Sequence, residues 1–89
     1  MSAESPAKRS LILAHENGLH LTPISAVVKA ATPFAAEVTI AFGEKSASAK
    51  STMELMTLGA TSGSQLVISG SGDDASAAVD AICDALEQF

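Results

Sequence analysis

One histidine of this sequence stands where a reactive side chain would be expected. His20 lies in residues 17–23, between the turn-forming Asn17-Gly18 and Pro23, a residue tolerated in the first turn of a helix. The neutral form of an imidazole is a competent nucleophile. Phosphate carried on its nitrogen would lie against backbone N–H groups at the positive end of the helix dipole. Alternatively, His20 is only a helix cap or a spacer between two leucines.

A serine later in the chain offers a second position for phosphate. Ser51 is followed three residues later by Glu54, which is the capping-box pattern of a helix start. Capping alone explains this serine, since a cap of this type contributes about 1 kcal/mol to stability. A phosphate on Ser51 would also lie at the helix start, with Lys50 beside it. Both interpretations stay open from the spacing alone.

Other kinds of chemistry find no support in the sequence. His15 and His20 are separated by a turn, and neither Cys83 nor a carboxylate pair joins them at a known metal-ligand spacing. The chain has no Walker or Rossmann glycine loop and no hydrolase triad motif. We therefore expect no metal site and no cofactor. Met53 and Met56 suit a core, but a short helix cannot bury every face, so they could form an exposed contact patch instead.

The elements that must position these residues follow from hydrophobic periodicity. The predicted strands are residues 10–15, 37–42, 45–49 and 65–69. The predicted helices start near Pro23, at Ser51 and at Asp73 or Asp74. Their ends are expected near Pro33 for the first helix and before Gly59 for the second, and residues 70–72 should form the turn after the last strand.

The predicted order β-α-β-β-α-β-α indicates an α+β fold. Because the strands alternate between apolar and polar residues, one face of the sheet should be covered by helices and the other exposed. The weakly patterned strand 45–49 is expected at a sheet edge. We expect residues 10–89 to form a single domain after a short flexible lead of residues 1–9.

Composition argues against several classes of protein. The net charge of −5 over 89 residues disfavours sequence-independent nucleic-acid binding and docking on an anionic membrane, because both need clustered Lys and Arg. No apolar run approaches the roughly 18 residues of a membrane span. The single Cys83 cannot form an internal disulfide, which fits a reducing compartment. A soluble, cytoplasmic protein is the simplest expectation.

Several motifs occur together in one order. They are Gly18-Leu19-His20-x-x-Pro23, Lys50-Ser51, Met56-x-Leu58-Gly59, Gly63 and Gly72-Asp73. In this combination, over about residues 10–89, the sequence resembles the HPr family. These proteins are the histidine-containing phosphocarriers of the bacterial phosphoenolpyruvate-dependent sugar phosphotransferase system.

The resemblance implies an open-faced β-sandwich, with a four-stranded antiparallel sheet and three helices on one face. It implies a phosphoryl carrier, not a turnover enzyme, in which His20 accepts phosphate on Nδ1 from enzyme I and passes it to an enzyme II A domain. It also implies that Ser51 is the regulatory serine modified by an HPr kinase/phosphorylase. The first two helices would form the partner surface, with Ser25, Val28, Lys29, Lys50, Met53 and Met56. A monomer without nucleic-acid partners or membrane insertion is expected.

Thr22 departs from the family motif, which usually has an arginine before Pro23. That arginine helps to hold the phosphoryl group, whereas a threonine offers a hydroxyl without charge, and charge-assisted hydrogen bonds are roughly twice as strong. Lys29, about two turns along the helix, is the nearest predicted cation on that side. The alternatives are therefore a phosphocarrier working through His20, a regulatory binding module acting mainly through Ser51 with little role in sugar transport, and a small interaction domain without phosphoryl chemistry.

Overall fold

Residues 7–14 and 18–88, described by a computed structural model, form four strands and three helices. The strands are β1 (Ala7–Ile12), β2 (Glu37–Phe42), β3 (Lys45–Ser48) and β4 (Gln65–Ser71). The helices are α1 (Leu21–Ala31), α2 (Thr52–Met56) and α3 (Ala75–Glu87). The element order is the one that hydrophobic periodicity predicts.

The strands form one antiparallel sheet in the order β1-β4-β2-β3. The polar strand β3 lies at an edge, as predicted. Alternate residues of the central strands are buried, among them Val38, Ile40, Leu66 and Ile68, whereas Glu37 and Gln65 are exposed. The helices cover the buried face, and the other face stays open. The predicted open-faced α+β sandwich is therefore confirmed.

The first strand begins earlier than predicted. Lys8 and Arg9 pair with residues of β4, so residues 7–9 belong to the sheet and not to a flexible lead. A charged edge position is tolerated here because Arg9 donates to the carboxylate of Asp80 on α3, with 3.1 Å between Nη1 and Oδ1. The rest of the predicted lead, and the end of the predicted strand at His15, lie outside the described residues.

The last strand ends later than predicted. Gly70, expected in the turn, pairs with Ala7 and Val38 inside the sheet. A Cβ at this position would lie 3.0 Å from Cγ2 of Val79, so the glycine lets α3 pack closely on the sheet. The turn is made by Gly72, at a φ of 121°.

The start of α3 is held differently from the predicted cap. Asp74 occupies the N-cap position, but its carboxylate does not cap the helix. It accepts hydrogen bonds from the backbone N–H groups of Ala35 and Ala36, at 3.0 and 2.9 Å. Asp74 therefore ties the connection between α1 and β2 to the beginning of α3.

Helix α3 packs one apolar face into the core, and Cys83 lies on that face. The buried residues of this helix are Ala75, Ala78, Val79, Ile82, Cys83 and Leu86. No helix within residues 7–14 and 18–88 has the length and apolar character needed to cross a membrane.

Candidate functional site

His20 immediately precedes α1. Its backbone is extended, with φ −114° and ψ −170°, and its carbonyl accepts the N–H of Ile24 at 3.0 Å, which begins the helix. The imidazole makes no capping hydrogen bond to the helix start. The interpretation of His20 as a side-chain cap therefore has no support, although the residue occupies the capping position.

The imidazole of His20 lies half in the protein surface. The residue is half-buried, and its Nε2 atom exposes less than 1 Å². Nε2 is therefore shielded from solvent, whereas part of the residue reaches the surface.

The first turn of α1 provides a favourable electrostatic setting for an anion. It contains no acidic side chain, and Leu21 and Thr22 are both exposed. Pro23 is buried and fixes φ in this turn, but it has no N–H to donate to an anion. The helix dipole stabilises a negative charge near such a helix start by about 0.3–1 kcal/mol.

Lys29 does not lie beside His20. It is nine residues further along, which corresponds to about 13 Å of helix rise. There it lines a groove of about 420 Å³ between α1 and α3, together with Ala26, Ala30, Ala81, Asp84, Ala85 and Gln88. The helix therefore separates this cation from the histidine that it was expected to assist.

Ser51 caps α2, but only half of the predicted capping box forms. Its Oγ accepts the N–H of Glu54 at 3.2 Å. The Glu54 carboxylate does not return to Ser51; it accepts the N–H of Ser48 at 2.9 Å, and Ser51 donates its own N–H to the Ser48 carbonyl. The Glu54 carboxylate therefore binds the N–H of Ser48 at the end of β3, and not the N–H of Ser51 as a full capping box requires.

The side chain of Lys50 points away from the predicted phosphoserine position. Its Nζ donates to the Phe34 carbonyl at 2.6 Å, in the connection after α1. Lys50 therefore links the start of α2 to the end of α1, an interaction that adjacency to Ser51 in the sequence could not indicate.

The remaining predicted partner-binding residues lie on α1 and α2, which pack against each other. Met53 and Met56 are 79% and 57% exposed, while Leu55 between them is fully buried. This favours the contact-patch interpretation of the methionines over the core interpretation. Ser25 is exposed on α1, and Val28 is half-buried.

Leu21 is an exposed residue that the sequence analysis did not single out. It is 57% exposed directly after His20, whereas Leu19 on the other side is buried. A signal was present, because a turn at Gly18 and a helix start at Pro23 cannot direct both flanking leucines into the same core.

Known proteins provide an independent comparison. The family model described as "PTS HPr component phosphorylation site" matches residues 7–88. HPr of Haemophilus influenzae is 48% identical over 64 residues, covering 72% of this chain and 75% of its own. HPr of Borreliella burgdorferi is 38% identical over 82 residues, covering 92% and 95%.

Solved structures agree with these matches. The histidine-containing phosphocarrier protein of Mycoplasma superposes with a TM-score of 0.88 at 34% identity, covering 92% of this chain and 93% of its own. The matched residues include the whole helix start with His20 and the Ser51 segment. The chain therefore belongs to the HPr family of phosphocarrier proteins of the phosphotransferase system.

Proposed function

We propose that this protein carries phosphoryl groups on Nδ1 of His20, taking them from enzyme I and passing them to enzyme II A domains. The observation that supports this most is the orientation of His20 at the start of α1, with Nε2 buried and the residue half exposed. In the transfer, the Nδ1 lone pair forms a bond to phosphorus as the bond between phosphorus and the donor breaks. A nucleophile of the acceptor then forms a bond to phosphorus as the bond from phosphorus to Nδ1 breaks, which regenerates His20.

The surroundings of His20 suit a carrier that must both accept and release phosphate. The helix dipole stabilises negative charge at the helix start by about 0.3–1 kcal/mol, which favours phosphate without holding it tightly. His20 does not line the groove between α1 and α3. An acceptor at the surface can be approached in line by a second protein, which transfer between proteins requires.

The exposed surface of α1 and α2 suits apolar contacts with these partners. Leu21, Met53 and Met56 are the large hydrophobic side chains that α1 and α2 leave exposed among the described residues. Methionine adapts its shape to different surfaces, which helps one carrier to contact a donor and several acceptors.

The decisive experiment is labelling with phosphoenolpyruvate and enzyme I. We expect acid-labile phosphate on the unmodified chain, no label on His20→Ala, and full labelling of the matched control His15→Ala, the other histidine of the chain. Retention of folding is checked by circular dichroism. Absence of acid-labile label on the unmodified chain, or its persistence in His20→Ala, would contradict the proposal.

A second function, regulation through phosphorylation of Ser51 by an HPr kinase/phosphorylase, is favoured by one observation. Thr22 places no positive charge next to His20, so the carrier role has less electrostatic support than the usual motif provides. In this reaction the Ser51 hydroxyl displaces ADP from the γ-phosphorus of ATP and loses its proton. We expect acid-stable label on the unmodified chain and on Thr52→Ala but not on Ser51→Ala; equal labelling of all three would exclude Ser51.

A further inference from the structure

The connection between α2 and β4 contacts both ends of the segment that leads to His20. Leu13 donates its N–H to the Ser64 carbonyl at 2.8 Å, and Gly63 donates to the Leu13 carbonyl at 2.7 Å. On the other side, Leu19 donates to the Ala60 carbonyl at 3.0 Å. Residues 60–64, called the brace below, thus hold the chain before and after residues 14–18.

The brace has a rigid construction of its own. The Ser64 N–H donates to the Thr61 carbonyl at 3.0 Å, closing a four-residue turn. Gly63 occupies the third position of this turn with a φ of 89°, a conformation that favours glycine there. The Ser64 hydroxyl also accepts the Thr61 N–H at 3.0 Å, so the turn is closed twice.

Close packing adds to these hydrogen bonds. Gly18 is buried at a φ of 71°, and a Cβ on it would lie 2.6 Å from the Ala60 carbonyl oxygen and 2.8 Å from the Thr61 Cα. These are backbone atoms, which cannot rotate away as a flexible side chain can. The chain therefore approaches the brace as closely as a glycine allows, two residues before His20.

We propose that the brace is a positioning element for His20, acting through Gly18 and Leu19. His20 is the only residue between the hydrogen-bonded Leu19 and the first residue of α1, so the place of its backbone is fixed from both sides. The brace does not contact the phosphate or the donor; it acts by fixing the position of the His20 backbone and hence of Nδ1. This inference rests on the proposed phosphoryl transfer at His20.

The effect on transfer follows from the geometry of displacement. Nδ1, phosphorus and the leaving atom must be aligned when the two proteins meet, and a displacement of about 1 Å can cost up to about a hundredfold in rate. Loosening the brace should therefore lower kcat for phosphoryl acceptance. It should leave the KM for enzyme I nearly unchanged, because the exposed partner surface on α1 and α2 is not altered.

The chain offers a matched pair of glycines for the test. Gly63 in the brace and Gly43 in the β2–β3 turn have positive φ values of 89° and 62°, and a Cβ on either meets no atom within 4 Å. Alanine therefore clashes with no neighbour at either position, and its cost lies in the backbone conformation, which is less favourable at a φ of 89° than at 62°. We expect Gly63→Ala to lower kcat for phosphoryl acceptance about tenfold and Gly43→Ala to leave it within about twofold. Equal kcat values in the two variants would overturn the proposal.

Nuclear magnetic resonance separates failure of the brace from failure of the phosphocarrier proposal. In Gly63→Ala, but not in Gly43→Ala, the Leu19 amide should exchange faster with solvent and the His20 ring resonances should shift. If the unmodified chain accepts no phosphate, the carrier proposal fails, but these spectra still show whether the brace positions His20. Unchanged spectra in Gly63→Ala would overturn it.

A second pair of variants serves if Gly63→Ala does not fold. Ser64→Ala removes the hydroxyl that accepts the Thr61 N–H, whereas Ser62→Ala changes an exposed serine of the same turn. The proposal expects a lower kcat and faster Leu19 exchange in Ser64→Ala alone. The same behaviour in both serine variants would count against it.

Discussion

Thr22 supplies no charge to balance the phosphate that His20 is proposed to carry. Its side chain is exposed and uncharged, and Lys29 lies about 13 Å further along the helix, in the groove facing α3. The negative charge of the proposed phosphate would therefore be balanced by the backbone N–H groups and dipole of α1 and by charged groups of the partner protein. Leu21 is also exposed, so the surface next to Thr22 is apolar instead of positively charged.

Thr22→Arg should accelerate phosphoryl acceptance by His20. A guanidinium donates charge-assisted hydrogen bonds to phosphate, and a gain near 1.4 kcal/mol corresponds to about tenfold in rate. Rapid-quench labelling with phosphorylated enzyme I measures the change, and Thr22→Gln, long but uncharged, is the control. If the arginine variant reacts no faster than the glutamine variant, the partner already supplies the missing charge.

Among the elements, the connection between α1 and β2 is held by two charged side chains from distant parts of the chain. Lys50, next to α2, donates to the Phe34 carbonyl, and Asp74, at the start of α3, accepts the N–H groups of Ala35 and Ala36. Because these backbone groups lie outside any helix or strand, the side chains supply the hydrogen bonds that regular structure would otherwise provide.

Asp74→Ala should lower the free energy of unfolding by about 1–2 kcal/mol, since two backbone N–H groups lose a charged acceptor in a partly exposed place. Urea denaturation measures it. The control is Asp73→Ala, which changes an exposed neighbour. Asp74→Asn tests the two hydrogen bonds directly, because asparagine has a similar size but only one acceptor oxygen. A fully stable Asn variant would show that the two hydrogen bonds contribute little.

In the molecule as a whole, one hydrophobic layer lies between the sheet and the helices, and Cys83 of α3 is fully buried within it. Burial raises the pKa of the Cys83 thiol, and the nearby positive charge of Arg9 partly opposes this rise. The folded protein therefore keeps its thiol protonated at a pH where the unfolded chain has begun to lose the proton.

Stability should fall as the pH rises above about 8.5, the usual thiol pKa in an unfolded chain. Above that pH the unfolded state binds fewer protons than the folded state, so alkaline conditions favour unfolding until the pH passes the raised folded-state pKa. Urea denaturation between pH 7 and 10 tests this against Cys83→Val, whose loss should be smaller. Identical pH profiles would mean that the thiol makes no difference.

The parts of the fold that the sequence could predict are those set by local patterns. Strand β2 matches its predicted bounds because apolar and polar residues alternate up to Gly43, and α1 begins beside His20 because turn and proline signals agree. Lys8 and Arg9 look like a polar lead, and only pairing with β4 makes them a strand. The role of Asp74 was equally hidden, since its bonds cross 39 and 38 residues of chain.

The contacts between the brace and the segment before His20 should form late in folding. Its hydrogen bonds join residues 13 and 19 to residues 60–64, a separation of more than 40 positions. Contacts between such distant parts of a chain form late, because a long loop must close before they are gained. During synthesis the segment leading to His20 exists well before the brace that fixes it. Efficient phosphorylation would then mark molecules that have completed their sheet, and incomplete chains would compete little with them for the donor.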